Sequence, residues 1–135
     1  MTETTEHSPL EAVQALESGA FRLGQVLRRV LGEHAHLPVR RIYPSVYVSG
    51  YNDQEASTTA RVEIGAGSIA GVRAWAEALG GEVEARITAS AYPFEHAEFT
   101  TSINEVQLVV TGTRSLSEDE AAAWQARQTD AGGGS

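Results

Sequence analysis

The sequence predicts an α+β fold with a mostly antiparallel sheet of four or five strands, two helices packed on one face, and a short C-terminal helix. Two observations lead to this prediction. Residues 58–64 and 82–90 alternate apolar with polar side chains, which is the pattern of half-buried strands. Between them, residues 69–79 have apolar side chains every three or four positions, which is typical of an amphipathic helix. We therefore expect the element order α-β-β-α-β-β(-β)-α.

Turn and capping residues set the limits of this central helix. Gly65-Ala66-Gly67 follows the first strand, and Ser68 is placed to cap the helix N-terminus. Gly80-Gly81 is a helix stop. One apolar stripe on the helix and one apolar face on each strand predict a helix packed against a sheet.

A long first helix is predicted from the capping box Ser8-Pro9-Leu10-Glu11 to a stop near Gly32. Apolar residues follow it at intervals of three and four, which predicts one continuous buried stripe. The stripe residues are Leu10, Val13, Leu16, Ala20, Leu23, Leu27 and Val30.

The next strand spans residues 41–51, and a short polar loop joins it to the strand at 58–64, so the two should form an antiparallel hairpin. Pro44 favours an edge position, because proline has no backbone N–H to donate. Residues 92–96 are predicted to be a turn. Within 97–112 the apolar parity switches at Asn104-Glu105, which indicates either one bulged strand or a tight hairpin.

The end of the chain contains a second capping box, Ser117 to Glu120, which opens a third helix running to about Gln128. We expect residues 1–7 to be disordered, residues 8–129 to form a single domain, and residues 130–135 to be a flexible Gly-rich tail. The order strand-helix-strand-strand-strand from residue 58 resembles one module of the vicinal oxygen chelate superfamily, in topology only and over about half of the chain. That superfamily binds metal through His and Glu on its strands. The predicted strands here contain Glu but no His, so the resemblance implies no site.

The charge distribution argues against several classes of partner. The net charge is −8, and residues 51–135 account for all of it, with five Arg against thirteen Asp and Glu. Such a surface repels nucleic acid and anionic membranes. There is no Cys, and the predicted localisation is cytoplasmic, since no apolar segment resembles a signal peptide or a membrane span.

Four groups of residues resemble functional sites, and each is explained better by ordinary structure. The sequence from Gly65 to Ala70 matches a dinucleotide-binding motif, but its strand alternates instead of being apolar throughout. His34 and His36 lie in a connector without further metal ligands, so we predict no metal and no cofactor. Glu95, His96 and Glu98 are interpreted as an exposed charged turn. Arg28-Arg29 and Arg40-Arg41 form a basic patch near the end of the first helix. The first pair suits the helix C-terminal dipole and the second is interpreted as solvated, and the alternative role of the patch is contact with phosphate.

A stripe of tyrosines is the feature that favours a function. Tyr43, Tyr47 and Tyr51 share one parity on their strand, opposite the apolar parity that should face the helices. Arg61 and Arg86 are expected on the same open face of the sheet. Tyr and Arg are residue types enriched at protein interfaces.

The sequence therefore predicts a small non-enzymatic protein that acts through protein–protein contacts, with a partner or as a homodimer, using Tyr43, Tyr47, Tyr51, Arg61 and Arg86. No catalytic residue is assigned. The alternative is a small-molecule-binding protein or enzyme with a pocket between sheet and helices. A third hypothesis is a nucleic-acid accessory protein that uses the Arg patch.

Overall fold

A five-stranded sheet with helices on one face forms the framework of the protein. The computed structural model describes residues 9–49, 57–88 and 92–133. The elements in chain order are α1 (Pro9–Glu33), β1 (Arg41–Ser49), β2 (Ser57–Gly65), α2 (Ile69–Leu79), β3 (Glu84–Thr88), β4 (Phe94–Ile103), β5 (Val106–Ser115) and α3 (Glu118–Gly133). The predicted α+β class and element order are thus confirmed. None of the described helices is long and apolar enough to cross a membrane.

The strands are arranged in the order β1-β2-β5-β4-β3. β1–β2, β3–β4 and β4–β5 pair antiparallel, while β2 and β5 pair parallel in the centre of the sheet. The sheet is therefore mixed rather than purely antiparallel. β2 and β3, which flank α2 in the sequence, are not neighbours, because β5 and β4 lie between them.

The predicted caps of α2 are confirmed. The Ser68 side chain accepts a hydrogen bond from the backbone N–H of Gly71 at 3.0 Å. At the other end Gly80 adopts a left-handed backbone conformation with φ of 75°, and its N–H bonds to the carbonyl of Ala76. Ser8, the predicted cap of α1, lies outside the described residues.

Residues 97–112 form a tight hairpin, which decides between the two predicted alternatives. Asn104 and Glu105 both have positive φ, 49° and 66°, and connect the paired residues Ile103 and Val106. Two left-handed residues match the right-handed twist of the flanking strands, as in a type I′ turn. The apolar parity changes at this point because the chain reverses there.

The hydrophobic core lies between the sheet and helices α1 and α2. Its largest fully buried side chains are Trp75, Phe99, Ile64 and Leu108. The even-numbered residues of β1 and β2 face the helices, as the alternation predicts, and pair across the two strands as Ile42 with Ile64 and Val46 with Ala60.

The predicted stripe on α1 is wrong in two respects. Leu10, Val13 and Leu16 are exposed, because the buried part of the helix begins only at Gly19, and Ala20 is exposed as well. The buried residues of α1 are Gly19, Leu23, Val26 and Val30. Leu27, one position after Val26 on the helix, is only partly buried against the core.

Candidate functional site

The open face of the sheet, opposite α1 and α2, contains the predicted tyrosines. Tyr43 and Tyr47 project from β1, and each is 56% exposed. Their cross-strand partners on β2 are Glu63 and Thr59, while Ser45 between them lies opposite Arg61. We call Tyr43, Ser45, Tyr47, Arg61 and Glu63 the tyrosine face.

One of the five predicted binding residues, Arg86, is not part of this face. Arg86 is on β3, at the opposite edge of the sheet from β1, and pairs across the strands with His96. Neighbouring strands are about 4.8 Å apart, so Arg86 is about 19 Å from the tyrosine strand. Tyr51 lies outside the described residues. The structure thus brings together Tyr43, Tyr47 and Arg61.

A cleft of about 390 Å³ adjoins the tyrosine face. Arg41 begins β1 and lies opposite Gly65 at the end of β2, and its side-chain stem covers that glycine. The stem of Arg40 covers Gly67 in the same way, and the Arg40 backbone N–H donates to the Gly65 carbonyl at 2.7 Å. The polar residues that line this arginine cleft are Arg40, Arg41, Glu63, His96, Thr111 and Thr113.

Two arginine side chains therefore pack against the Gly65-Ala66-Gly67 segment. A Cβ added at Gly67, where φ is 87°, would lie 2.6 Å from the Arg40 stem, and one at Gly65 would lie 2.7 Å from the Arg41 stem. The contact between these glycines and arginines was not predicted from the sequence. The predicted hairpin was the available signal, because its register places Arg41 opposite Gly65.

The dinucleotide interpretation gains no support from the geometry. β2 alternates as predicted, with Arg61 and Glu63 on the open face. Glu84, at the spacing of a ribose-binding acid, begins β3 at the far edge of the sheet.

Residues 94–96 belong to β4, so the predicted charged turn at 92–96 is wrong from Phe94 onward. His96 and Glu98 lie on the open face, with His96 Nε2 3.6 Å from Glu98 Oε1. Glu95 points to the other face and contacts Arg114. The prediction that the strands contain no His is also wrong, because β4 includes His96.

A second, larger cleft of about 600 Å³ lies between Phe94 and Thr113 of the sheet and the first turns of α3. Arg114 fixes α3 at this position, since it pairs with Glu95 of β4 and with Glu120 of α3, each at 3.0 Å. The predicted capping box is confirmed: the Ser117 N–H donates to the Glu120 carboxylate, and the Glu120 N–H donates to the Ser117 hydroxyl. Apart from these contacts, α3 makes no extensive packing with other described elements.

The Ser117 N–H and the Arg114 guanidinium hold the pKa of Glu120 below its ordinary value of 4.5. A carboxylate with a depressed pKa stabilises the folded state above its unfolded pKa, and that contribution is lost as the pH falls through the folded pKa. We expect the start of α3 to loosen only below pH 4.5.

The Ser117 amide chemical shift reports this titration directly, because that N–H donates to the carboxylate. Its NMR midpoint should lie below 4.5 and rise in Arg114→Gln, while Glu120→Gln should remove the titration. A midpoint at or above 4.5 in the unmodified protein would contradict the assignment.

His34 and His36 lie after α1, with ring centroids 6.4 Å apart, and His34 also lies 6.1 Å from the Trp75 ring. Within residues 9–49, 57–88 and 92–133, no group of three or more His, Asp or Glu side chains is arranged to hold a metal ion. His34 is half-buried and His36 exposed, so aromatic contact explains His34 without a ligand.

Comparisons of the chain with protein-family models, curated protein sequences and solved structures found no match.

Proposed function

We propose that the protein acts through protein–protein contacts made by the tyrosine face, and that a second copy of this chain is its first partner. The observation that supports this proposal is the pair Tyr43 and Tyr47. Both are large aromatic side chains more than half exposed on one face of an edge strand. About 13 Å separates residues four positions apart on a strand, so Ser45 leaves a gap between the two rings.

The chemistry of the face suits an interface between identical copies. Tyr offers a large contact area with a polar tip, and Tyr and Arg are enriched among residues that dominate binding energy. Arg61 Nη1 lies 4.0 Å from Glu63 Oε1, and both side chains remain partly exposed. In a two-fold symmetric dimer, Arg61 of one copy can pair with Glu63 of the other. This local charge balance matters because the net charge of −8 opposes self-association elsewhere on the surface.

The size of the surface indicates a weak dimer. From strand spacing and rise, the whole open face covers roughly 700 Å², against about 800 Å² per partner in a standard interface. The tyrosine face alone is less than half of that area. We therefore expect a dissociation constant in roughly the micromolar range or weaker.

Tyr47→Ala should weaken self-association at least about tenfold and leave thermal stability nearly unchanged, since an exposed hot-spot truncation costs binding but not packing. Sedimentation velocity over a concentration series measures the first effect, and thermal melting the second. Phe21→Ala is the matched control, because Phe21 is an aromatic residue of α1 that is 68% exposed away from the sheet.

Two outcomes would count against the proposal. Loss of folding in Tyr47→Ala would mean that this ring belongs to the core. A monomer at all concentrations, or equal effects of the Tyr47 and Phe21 variants, would remove the tyrosine face as the contact surface.

The alternative hypothesis of a small-molecule site placed the pocket between the sheet and the helices, but the two clefts lie elsewhere. Between the sheet and helices α1 and α2 the space is filled by buried side chains such as Trp75 and Phe99, whereas the two clefts lie beside the open face. The basic patch of the nucleic-acid hypothesis is divided between two surroundings. Arg29 is paired with Glu33 at 3.6 Å, whereas Arg40 and Arg41 face the arginine cleft.

A further inference from the structure

The arginine cleft contains two guanidinium groups that have no acidic partner in the described part of the chain. Neither Arg40 nor Arg41 makes an ion pair with any residue that the structure describes. The guanidinium carbon of Arg41 lies 5.3 Å from the centre of the Tyr43 ring. Both stems are held against glycine backbone, which places the charged groups at one wall of the cleft. Both side chains are exposed, so the two guanidinium groups are accessible to a ligand.

The charges around the cleft fit a single negative charge. Glu63 is the one carboxylate in its lining, and that group already accepts a hydrogen bond from Thr111 at 3.3 Å and contacts Arg61. The two guanidinium groups and the one carboxylate that line the arginine cleft sum to a formal charge of +1. Guanidinium groups bind carboxylates through paired, charge-assisted hydrogen bonds.

The neighbouring cleft supplies an apolar environment. It shares the wall residues Phe94 and Thr113 with the arginine cleft, so the two spaces adjoin. Its other walls combine Tyr92, Pro93, Leu116 and Ala121 with the polar residues Ser115, Ser117, Glu118 and Gln125. Volumes of about 390 and 600 Å³ lie in the range of small-molecule sites, which combine apolar walls with a few placed polar groups.

We propose that the two clefts together bind a monoanionic organic acid with an apolar body. The carboxylate lies between Arg40 and Arg41, near the Thr113 hydroxyl. The apolar body extends along Phe94 toward Leu116 and Ala121 at the start of α3. This site adjoins the tyrosine face: Glu63 belongs to both, and Arg41 borders both.

Calorimetric titration with decanoate tests the proposal, with three comparison compounds. Decanol has the same apolar body without charge, acetate has the charge without the body, and decyl phosphate has a second charge. We expect saturable one-to-one binding of decanoate below its micelle-forming concentration, and at least about tenfold weaker binding of the other three. Tenfold corresponds to the loss of one charge-assisted contact.

Variants assign the binding to the two clefts. Arg40→Gln should weaken decanoate binding about tenfold, and Arg40 is preferred to Arg41 because it does not contact Tyr43. Ala121→Glu should weaken binding similarly by placing a charge in the apolar cleft. Arg73→Gln, which removes an exposed charge on α2, is the matched control and should bind as the unmodified protein does. Thermal melting of each variant confirms that it is folded.

Several results would overturn the proposal. One is the absence of saturable decanoate binding. Another is equal binding of decanol, which would indicate detergent-like association. A third is an equal loss of affinity in Arg40→Gln and Arg73→Gln, which would indicate general charge attraction. Tighter binding of decyl phosphate than of decanoate would overturn the monoanion assignment. Sedimentation of Arg40→Gln keeps this test separate from the dimer, since that variant should associate as the unmodified protein does.

Discussion

Trp75→Ala should lower the free energy of unfolding by about 3–5 kcal/mol, the range for truncating a fully buried large aromatic side chain. The Trp75 side chain is completely buried in α2, and its indole N–H donates to the Pro38 carbonyl at 2.9 Å. It thus joins the central helix to the connector that leads from α1 into β1. Denaturant unfolding at constant m-value measures the loss.

Trp75→Phe separates the two contributions, because it retains most of the apolar contact and removes the hydrogen bond. We expect it to cost about 1–3 kcal/mol, since the Pro38 carbonyl then loses its partner. Trp124→Ala is the matched control, as Trp124 lies half-exposed on α3 and should cost less than about 1 kcal/mol. Equal losses at Trp75 and Trp124 would contradict the core described here.

Gly112→Ala should destabilise the protein by about 1–3 kcal/mol or more, although it adds only one methyl group. A Cβ at Gly112 would overlap the Ser68 carbonyl oxygen and would lie 2.8 Å from a Val72 methyl. The first of these is helix backbone, which cannot rotate away. The N-terminus of α2 must therefore move from β5, and with it the cap at Ser68.

Gly24→Ala is the control, and its expected effect on the stability of the protein has the opposite sign. Gly24 lies in α1 with no atom within 4 Å of an added Cβ. Alanine is favoured over glycine in a helix by about 1 kcal/mol, so Gly24→Ala should stabilise the protein. The prediction fails if chemical denaturation finds Gly112→Ala no less stable than Gly24→Ala.

Features encoded by neighbouring residues were predictable from the sequence. The parity of β1 placed Tyr43 and Tyr47 opposite the apolar face, and the capping residues Ser68 and Ser117 located two helix starts. Each of these depends on contacts within a few positions along the chain. For residues 97–112 the sequence predicted either one bulged strand or a tight hairpin. Only the pairing of Ile103 with Val106 distinguishes the two.

Features that depend on distant residues were not predictable in the same way. On a helix, Val26 and Leu27 are only about 100° apart, so periodicity alone does not decide which of them faces a sheet whose position is unknown. The place of β5 between β2 and β4 has no local signal. To predict the arginine cleft, one would need both the register of the β1–β2 hairpin and the position of β4 in the sheet. The position of β4 brings His96 near Arg41.

The parallel pairing of β2 with β5 has a consequence for how the chain folds. Paired residues such as Ala60 and Val106 are 46 positions apart, whereas every other strand pair joins consecutive strands. The segment α1-β1-β2 and the meander β3-β4-β5 can each form from local contacts, but the core closes only when β5 reaches β2. Closing so long a loop costs entropy before any contact compensates for it, so this step should limit the folding rate. While it is pending, β2 exposes a free edge to the meander of another molecule, which is the geometry of a domain-swapped dimer.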